Sequence, residues 1–423
     1  MLIEFTVGNF RSFREAHSLS MVAASFQEHL DTNTFNPELS GGFGRLLRSA
    51  VVYGPNAGGK TNLLRALQVV QQFVVSSAAT PRGTPPPYAP FKFSAATAEQ
   101  PNEFKVAFVQ NRTRYEYGFS IDAARVTREW LVEYVTQRGR AIFERTYRTD
   151  AKRYDWKFSS FLRGQRALWS ESTREETLFL STAVQLNSAQ LLPVFEWFQR
   201  RLVVIAGATG LNPTLTLQTL RQQDGKASIL PFLKEADLGI TDLAMSREPI
   251  TGSDPALSPN AVVIEQLPGD AMPHLVRVTF SHQTEDSNAA VGLDFSEESS
   301  GTQLLFRRSG AWLNVLSKGE ILLVDEIDSS LHPLLTKYLV RKFHSSVSNP
   351  NNAQLVFSTH NTSLLDHDTF RRDQVWFVEK ERAGNSRLYP LTDFKARNDE
   401  PLERWYMRGK YGAVPILDEM PTS

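Results

Sequence analysis

The chain has no cysteine among its 423 residues. Disulfides, thiolate zinc sites and a cysteine nucleophile are therefore excluded. It also lacks an excess of either charge, since 46 basic and 46 acidic residues cancel. Global charge gives no argument for nucleic acid, which stays possible as a partner only through a local basic patch. No run approaches the ~18–20 apolar residues of a membrane span. The opening Met1-Leu2-Ile3-Glu4-Phe5-Thr6-Val7 alternates like a strand, with no basic segment followed by an apolar one, so it does not read as a signal peptide. The expectation is a cytoplasmic protein with no membrane partner. No heptad pattern persists for three or four heptads, which argues against a long coiled coil.

What is present is concentrated in a few short segments. Residues 54–61 read Gly-Pro-Asn-Ala-Gly-Gly-Lys-Thr, a complete G-x-x-x-x-G-K-[ST] loop. At ordinary glycine usage this pattern arises by chance in only ~1–2% of chains of this length. Its context removes the remaining ambiguity. Apolar Ala50, Val51, Val52 and Tyr53 precede it, and Leu63, Leu64, Leu67, Val70 and Val74 follow at helical spacing. Glycines let backbone N–H groups turn inward around phosphates, the lysine reaches the β/γ-phosphates, and the threonine hydroxyl ligates Mg²⁺. The helix N-terminus adds its positive end. The expected ATP ligands are Gly54, Asn56, Gly58, Gly59, Lys60, Thr61 and Asn62. Thr61 is also an expected metal ligand.

Ile321-Leu322-Leu323-Val324-Asp325-Glu326 is an apolar strand ending in two carboxylates. A buried parallel strand reads as such a continuous run, and ligands bind beyond the carboxyl ends of these strands. Asp325 is the expected Mg²⁺ carboxylate and Glu326 the expected general base for the attacking water. An apolar run ending in Asp-Glu is often only a strand with an acidic turn, so the phosphate loop carries this reading. Gln354-Leu355-Val356-Phe357-Ser358-Thr359-His360 is a second such strand, ending in a histidine placed to reach a γ-phosphate. Glu298-Ser299-Ser300-Gly301-Thr302-Gln303 opens a helix-patterned segment. Alone it reads as an ordinary N-cap. Asp328 to Pro333 forms a loop directly after the two carboxylates.

Two imitations are set aside. Leu39-Ser40-Gly41-Gly42 resembles a transporter signature but precedes the phosphate loop and opens no helix. Asp366-His367-Asp368 imitates an acidic nuclease pair, with too little chain after it for such a domain.

Taken in order, Asn9-Phe10-Arg11-Ser12-Phe13, the Gly54–Thr61 loop, Glu298–Gln303, Ile321–Glu326, Asp328–Pro333 and Ser358–His360 resemble the motif set of SMC-like ABC ATPases. The nearest branch is the OLD (overcoming lysogenisation defect)-like "AAA family ATPases" of bacteria, several of them implicated in anti-phage defence. Asp373–Glu379 and Gly409–Pro415 are similar to that branch as well. The resemblance implies two heads packed head-to-tail around two ATP molecules, as a homodimer or larger oligomer. Lys60, Thr61, Asp325, Glu326 and His360 would act in one protomer, with Ser300 and Gly301 supplied by the other. Arg11 is carried over as a residue near the nucleotide. The segment here reads Ser-Ser-Gly-Thr-Gln where transporters have Leu-Ser-Gly-Gly-Gln, which puts a transporter role in doubt. The family's glutamine switch has no clear counterpart, although Gln185 is a candidate beside its simpler reading as a solvated helix residue.

The implied fold class is α/β: an ABC-type P-loop ATPase head with a mixed sheet, an antiparallel β subdomain and a helical insertion. Residues 1–160 would form the N-terminal half of the head, with strands at 103–109, 114–121 and 129–136 and a hairpin from 2–7 and 16–22. Pro81, Pro85, Pro86, Pro87 and Pro90 require an extended loop. Residues 161–255 would form the insertion, helical over 172–238, and 256–423 the C-terminal half. Further strands are expected at 241–249, 261–267 and 275–281. Two functional classes follow. One is a regulatory ATPase whose dimer controls a separate effector, a nuclease, in phage defence. The other is a DNA-bound SMC-like ATPase of repair or recombination.

Overall fold

In the computed structural model, the described residues are 1–39, 42–205, 213–236, 239–250, 263–265, 267, 270–284, 287–395, 397 and 400–415. Ser40 and Gly41 of the transporter-like tetrapeptide lie outside them. So do 206–212 and 237–238 of the expected helical stretch, and 261, 262 and 266 of one expected strand.

Two sheets organise the molecule. The first is antiparallel and seven-stranded, in the order Arg153–Phe158, Arg140–Arg148, Val126–Tyr134, Thr113–Ile121, Asn102–Gln110, Leu2–Gly8, His17–Ser20. The expected hairpin and three strands are all present in it. The second has six strands, in the order Leu202–Ile205, Ile321–Val324, Gln354–Ser358, Ser49–Tyr53, Val375–Lys380, Ser386–Pro390. All its neighbours pair in parallel except the last two strands, which are antiparallel. Buried apolar runs dictate this arrangement, because a strand covered on both faces needs no polar alternation. Alternate residues then serve different cores. Ala50, Val52, Ile321 and Leu323 point to one, and Val51, Tyr53, Leu322 and Val324 to the other.

The first core lies between the parallel sheet, the helix Lys60–Ser76 and the antiparallel sheet. Helix Leu192–Arg200 closes it, with Trp197 stacked on Phe108 at 4.2 Å between ring centroids. Buried Glu129 pairs with buried Arg145 at 2.8 Å and accepts the N–H groups of Phe179 and Leu180 at 2.7 and 2.9 Å. That carboxylate fixes the start of helix Phe179–Gln185 to the sheet, where its charge meets the positive helix end. The second core packs helices Ser300–Lys318 and Pro333–His344 on the opposite face. Gln354 joins the two sheets: its side chain accepts from Leu2 N at 2.6 Å and donates to the Leu2 and Leu47 carbonyls, each at 3.0 Å.

The stretch expected to be helical does contain helices, including Thr214–Arg221 and Gly225–Glu235. It also contains Leu202–Ile205, an edge strand of the parallel sheet. A small separate sheet holds Ile240–Pro249, Val263–Glu265, His274–Thr284 and Ser287–Asp294. Residues 81–94 carry neither helix nor strand, as their prolines require.

Candidate nucleotide-binding site

Strand Ser49–Tyr53 is wholly buried and ends at the phosphate loop. The loop turns tightly enough to need glycine at its two ends. A Cβ on Gly54 would overlap the Val378 carbonyl. One on Gly59, where φ is 121°, would overlap the Ser386 hydroxyl. Lys60 opens the following helix, and its Nζ donates back to the Gly54 and Pro55 carbonyls at 2.7 and 3.1 Å. Burial pushes its pKa down to about 8, opposed by Asp325, Glu326 and Asp328. The lysine therefore lies in the field of all three carboxylates, although 265 or more residues separate them in sequence.

The Asn9–Phe13 segment buttresses this loop through Ser12. Ser386 Oγ lies 2.6 Å from the Gly58 carbonyl and 2.8 Å from Ser12 Oγ, and Asn62 Nδ2 donates to Ser12 Oγ at 2.9 Å. Arg11 stands beside this network with its guanidinium over the Phe10 ring, 5.7 Å from the centroid. Desolvation and nearby Arg65 lower its pKa. Its backbone is left-handed, with φ 52°, and its N–H donates to the Ala89 carbonyl at 2.7 Å.

At the other end, Asp325 and Glu326 follow strand Ile321–Val324 directly. A cavity of about 280 Å³ is lined by Thr61, Arg65, Gln68, Leu323, Asp325 and Glu326, among others. It brings together the hydroxyl and the carboxylates expected from sequence. Ser358 donates to Asp325 Oδ1 at 2.6 Å and accepts the Glu326 N–H at 2.8 Å. A hydroxyl, one oriented carboxylate and a phosphate-binding loop form the donor set suited to Mg²⁺, which takes few protein ligands and shares itself with phosphates. The residues present fit that ion. Among the described residues there is no group of three or more His, Asp or Glu able to hold a metal by themselves.

His360 stands just beyond the end of strand Gln354–Ser358, and its N–H donates to Asp328 Oδ2 at 3.2 Å. Desolvation and the Lys60 charge lower its pKa, while Asp328, Glu326 and Asp325 counteract them. It thus shares the electrostatic neighbourhood of Lys60. The expected acid-base, metal and phosphate residues of one chain converge on one end of the parallel sheet.

Ser300 and Gly301 are placed differently. They begin helix Ser300–Lys318, capped by Ser299, whose hydroxyl accepts Thr302 N at 3.1 Å. Gly301 faces the carbonyl of Ser330, which a Cβ would approach to 3.0 Å. Ser300 is exposed. Buried Arg308, farther along the helix, donates to the Ile327 carbonyl at 2.8 Å. The start of this helix and the loop after the carboxylates therefore lie close together, with Arg308 bonding the helix to that loop. Asp366, of the nuclease-like imitation, holds Lys337 at 2.5 Å in a turn.

Sequence reasoning did not single out Ser386, Arg65 or Gln68, and treated Ser358 only as part of a strand end. Ser358, at the carboxyl end of an apolar strand, had a positional signal. Ser386 had none.

This sheet order, loop and carboxylate pair define a P-loop ATPase domain. Residues 49–366 match the family model AAA_21, described as "AAA domain, putative AbiEii toxin, Type IV TA system". The match spans well over half of the chain, and the chain belongs to that family. The matched region contains the phosphate loop, Asp325, Glu326 and His360. No curated protein matches the chain. No helix among the described residues is long and apolar enough to cross a membrane.

Proposed function

We propose that this chain is an SMC-like ABC-type ATPase of the OLD-like branch, whose ATP-driven head-to-tail dimer regulates a partner effector, a nuclease, in bacterial anti-phage defence. The observation that carries the composite site is the position of Ser300. It is exposed at a helix start that lies close against the loop following Glu326, with Gly301 beside the Ser330 carbonyl and Arg308 donating to the Ile327 carbonyl. A second copy would meet Ser300 and Gly301 as donors to its γ-phosphate.

In this reading Lys60 leaves the Gly54 and Pro55 carbonyls and binds the β/γ-phosphates, aided by the backbone N–H groups of Gly58, Gly59 and Thr61. Thr61 and Asp325 would hold Mg²⁺, which when bound neutralises charge on the phosphoryl oxygens. Glu326 takes a proton from the attacking water as its oxygen bonds to the γ-phosphorus, and ADP departs. His360 contacts the γ-phosphate and reports its presence to Asp328. The family's description includes a toxin–antitoxin system, in which one protein's action is set by another, and this supports a partner-controlled output. The DNA-repair alternative would require a long coiled coil or a basic face. The longest helix among the described residues, Ser300–Lys318, has 19 residues.

The test is a mixing experiment. Ser300→Arg alone is expected to bind ATP as a monomer yet neither dimerise nor hydrolyse. Lys60→Ala alone is expected to bind none. Mixed, the two restore one intact site per heterodimer and a fraction of wild-type turnover. Verified heterodimers without recovered turnover would remove the shared-site reading. Nuclease activity of the isolated chain that survives Lys60→Ala would remove the partner-effector reading.

A further inference from the structure

Far from the phosphate loop in sequence, a groove of about 610 Å³ is lined by Arg140, Phe161, Arg163, Trp169, Ser188 and Gln190, among others. It is a built feature. The Gln190 amide ties its own segment to the 161–163 loop, accepting Arg163 N at 2.9 Å and donating to the Phe161 carbonyl at 3.0 Å. Gly164 is held at φ 105°, where any Cβ would strike the buried Trp169 ring. Trp169 Nε1 donates to the Leu186 carbonyl at 3.3 Å. The floor is therefore fixed before anything binds.

Three observations describe what the groove suits. Ser188 lines it and is 2% exposed, and its buried hydroxyl has no hydrogen-bond partner, an unsatisfied polar group in the groove's lining. Phe161, in its lining, is 50% exposed, and three exposed leucines neighbour the lining residues in sequence: Leu168 is 46% exposed, Leu192 40% and Leu186 37%. Leu168 and Leu186 directly precede the lining residues Trp169 and Asn187, and Leu192 follows Gln190 by two. The ionisable lining residues are both arginines. Arg140 is matched by Glu133 at 2.5 Å and stacks on Phe161. The Arg163 guanidinium has no ion pair among the described residues.

We infer that this groove docks a short segment of a partner protein that carries carboxylates between large apolar side chains. An exposed aromatic side chain beside arginine and polar groups is the composition of protein-recognition patches. Nucleic acid needs several phosphate-neutralising cations in a row, whereas the lining holds two arginines, one of them already paired with Glu133. The inference gives a location to the partner part of the proposed function and rests on that part alone. It does not depend on hydrolysis or on head dimerisation.

The experiment selects a displayed library of random 16-residue peptides on the full chain without nucleotide. Enriched sequences are remade with a fluorescent label and measured by anisotropy. Enrichment of Asp/Glu with Leu, Phe or Trp is expected. Arg163→Glu and Phe161→Ala are each expected to weaken binding at least tenfold, whereas Arg404→Glu, an exposed change in the other core's outer helix, leaves it unchanged. ATP turnover is followed in the same variants and stays at the wild-type level, so a failed groove and a failed ATPase reading give different results. Winners lacking acidic residues, or binding both groove variants as tightly as wild type, would overturn the inference. So would a single-stranded 20-mer oligonucleotide whose binding is lost in Arg163→Glu, in favour of a nucleic-acid groove.

Discussion

The hydroxyl of Ser358 donates to Asp325 Oδ1 at 2.6 Å, across a sheet pairing that joins residues 33 positions apart. The same oxygen accepts the N–H of Glu326 at 2.8 Å, whose backbone is left-handed with φ 51°. One serine thus orients the expected metal carboxylate and also holds the expected base in a conformation that costs a non-glycine residue energy. Groups that orient a metal ligand are typically worth ~10–100-fold in affinity or activity. Ser358→Ala should therefore raise the Mg²⁺ concentration needed for half-maximal ATP turnover by ~10–100-fold, with nucleotide binding in EDTA unchanged. An unaltered Mg²⁺ titration would show that this hydrogen bond does not govern metal binding.

Glu326→Gln should separate binding from chemistry. The amide keeps the shape but cannot take the proton, and loss of a general base costs ~10²–10⁴-fold in turnover. Equilibrium ATP binding should stay within about twofold of wild type by the nucleotide-affinity criterion of a filter assay. Turnover near wild type would exclude Glu326 as the base.

If Lys60 holds the phosphates as proposed, ATP binding should depend on pH. Its pKa of about 8 without ligand comes from burial, and a bound polyphosphate would raise it. Binding then takes up a proton above pH 8 and takes up none below pH 7. The sign follows: affinity is flat below pH 7 and falls as pH rises through 8, approaching tenfold per pH unit. Lys60→Arg, charged throughout, should show no such fall. Titrations at pH 7, 8 and 9 distinguish the two.

His344 makes a second, structural use of pH. It is buried and bonded to the Ser49 hydroxyl at 2.8 Å. Desolvation, then the charges of His29, Arg48 and Arg341, lower its pKa to about 3. The unfolded chain binds a proton near pH 6.5 and the folded chain does not, so stability is lost as pH falls from about 6.5 toward 3. From pH 6.5 to pH 5 the loss from this group is ~2 kcal/mol. His344→Gln should lose less over that interval in urea denaturation, and equal losses in both proteins would assign the acid sensitivity elsewhere.

Much of the site could be read from sequence because its parts are local. The phosphate loop is contiguous, and the strands before Asp325 and His360 are unbroken apolar runs. Leu202–Ile205 escaped notice because four apolar residues directly after a helix carry no period of their own. Strands Arg140–Arg148 and Arg153–Phe158 were hidden by charge. One face of the pair carries Glu144, Thr146 and Arg148 opposite Lys157, Asp155 and Arg153, where Glu144 pairs with Arg128 at 2.8 Å and with Lys157 at 3.2 Å, and such cross-strand pairs replace apolar patterning. The Ser12–Ser386 contact spans 374 positions. No local pattern distinguishes those serines from any others.

The place of strand Ser49–Tyr53 in its sheet has a consequence for biosynthesis. Its neighbours are Gln354–Ser358 and Val375–Lys380, made some 300 residues later. At ~5–20 residues per second of translation, the emerging strand waits ~15–60 s for a hydrogen-bonding neighbour. The antiparallel sheet, built wholly from residues before 159, is complete long before. Ribosome-stalled chains of about 200 residues should resist protease across 102–158 and be cut near 49–53. A nascent chain of this protein therefore exposes Ala50-Val51-Val52-Tyr53 as an unpaired, aggregation-prone edge, so covering that segment during synthesis should raise the yield of folded protein.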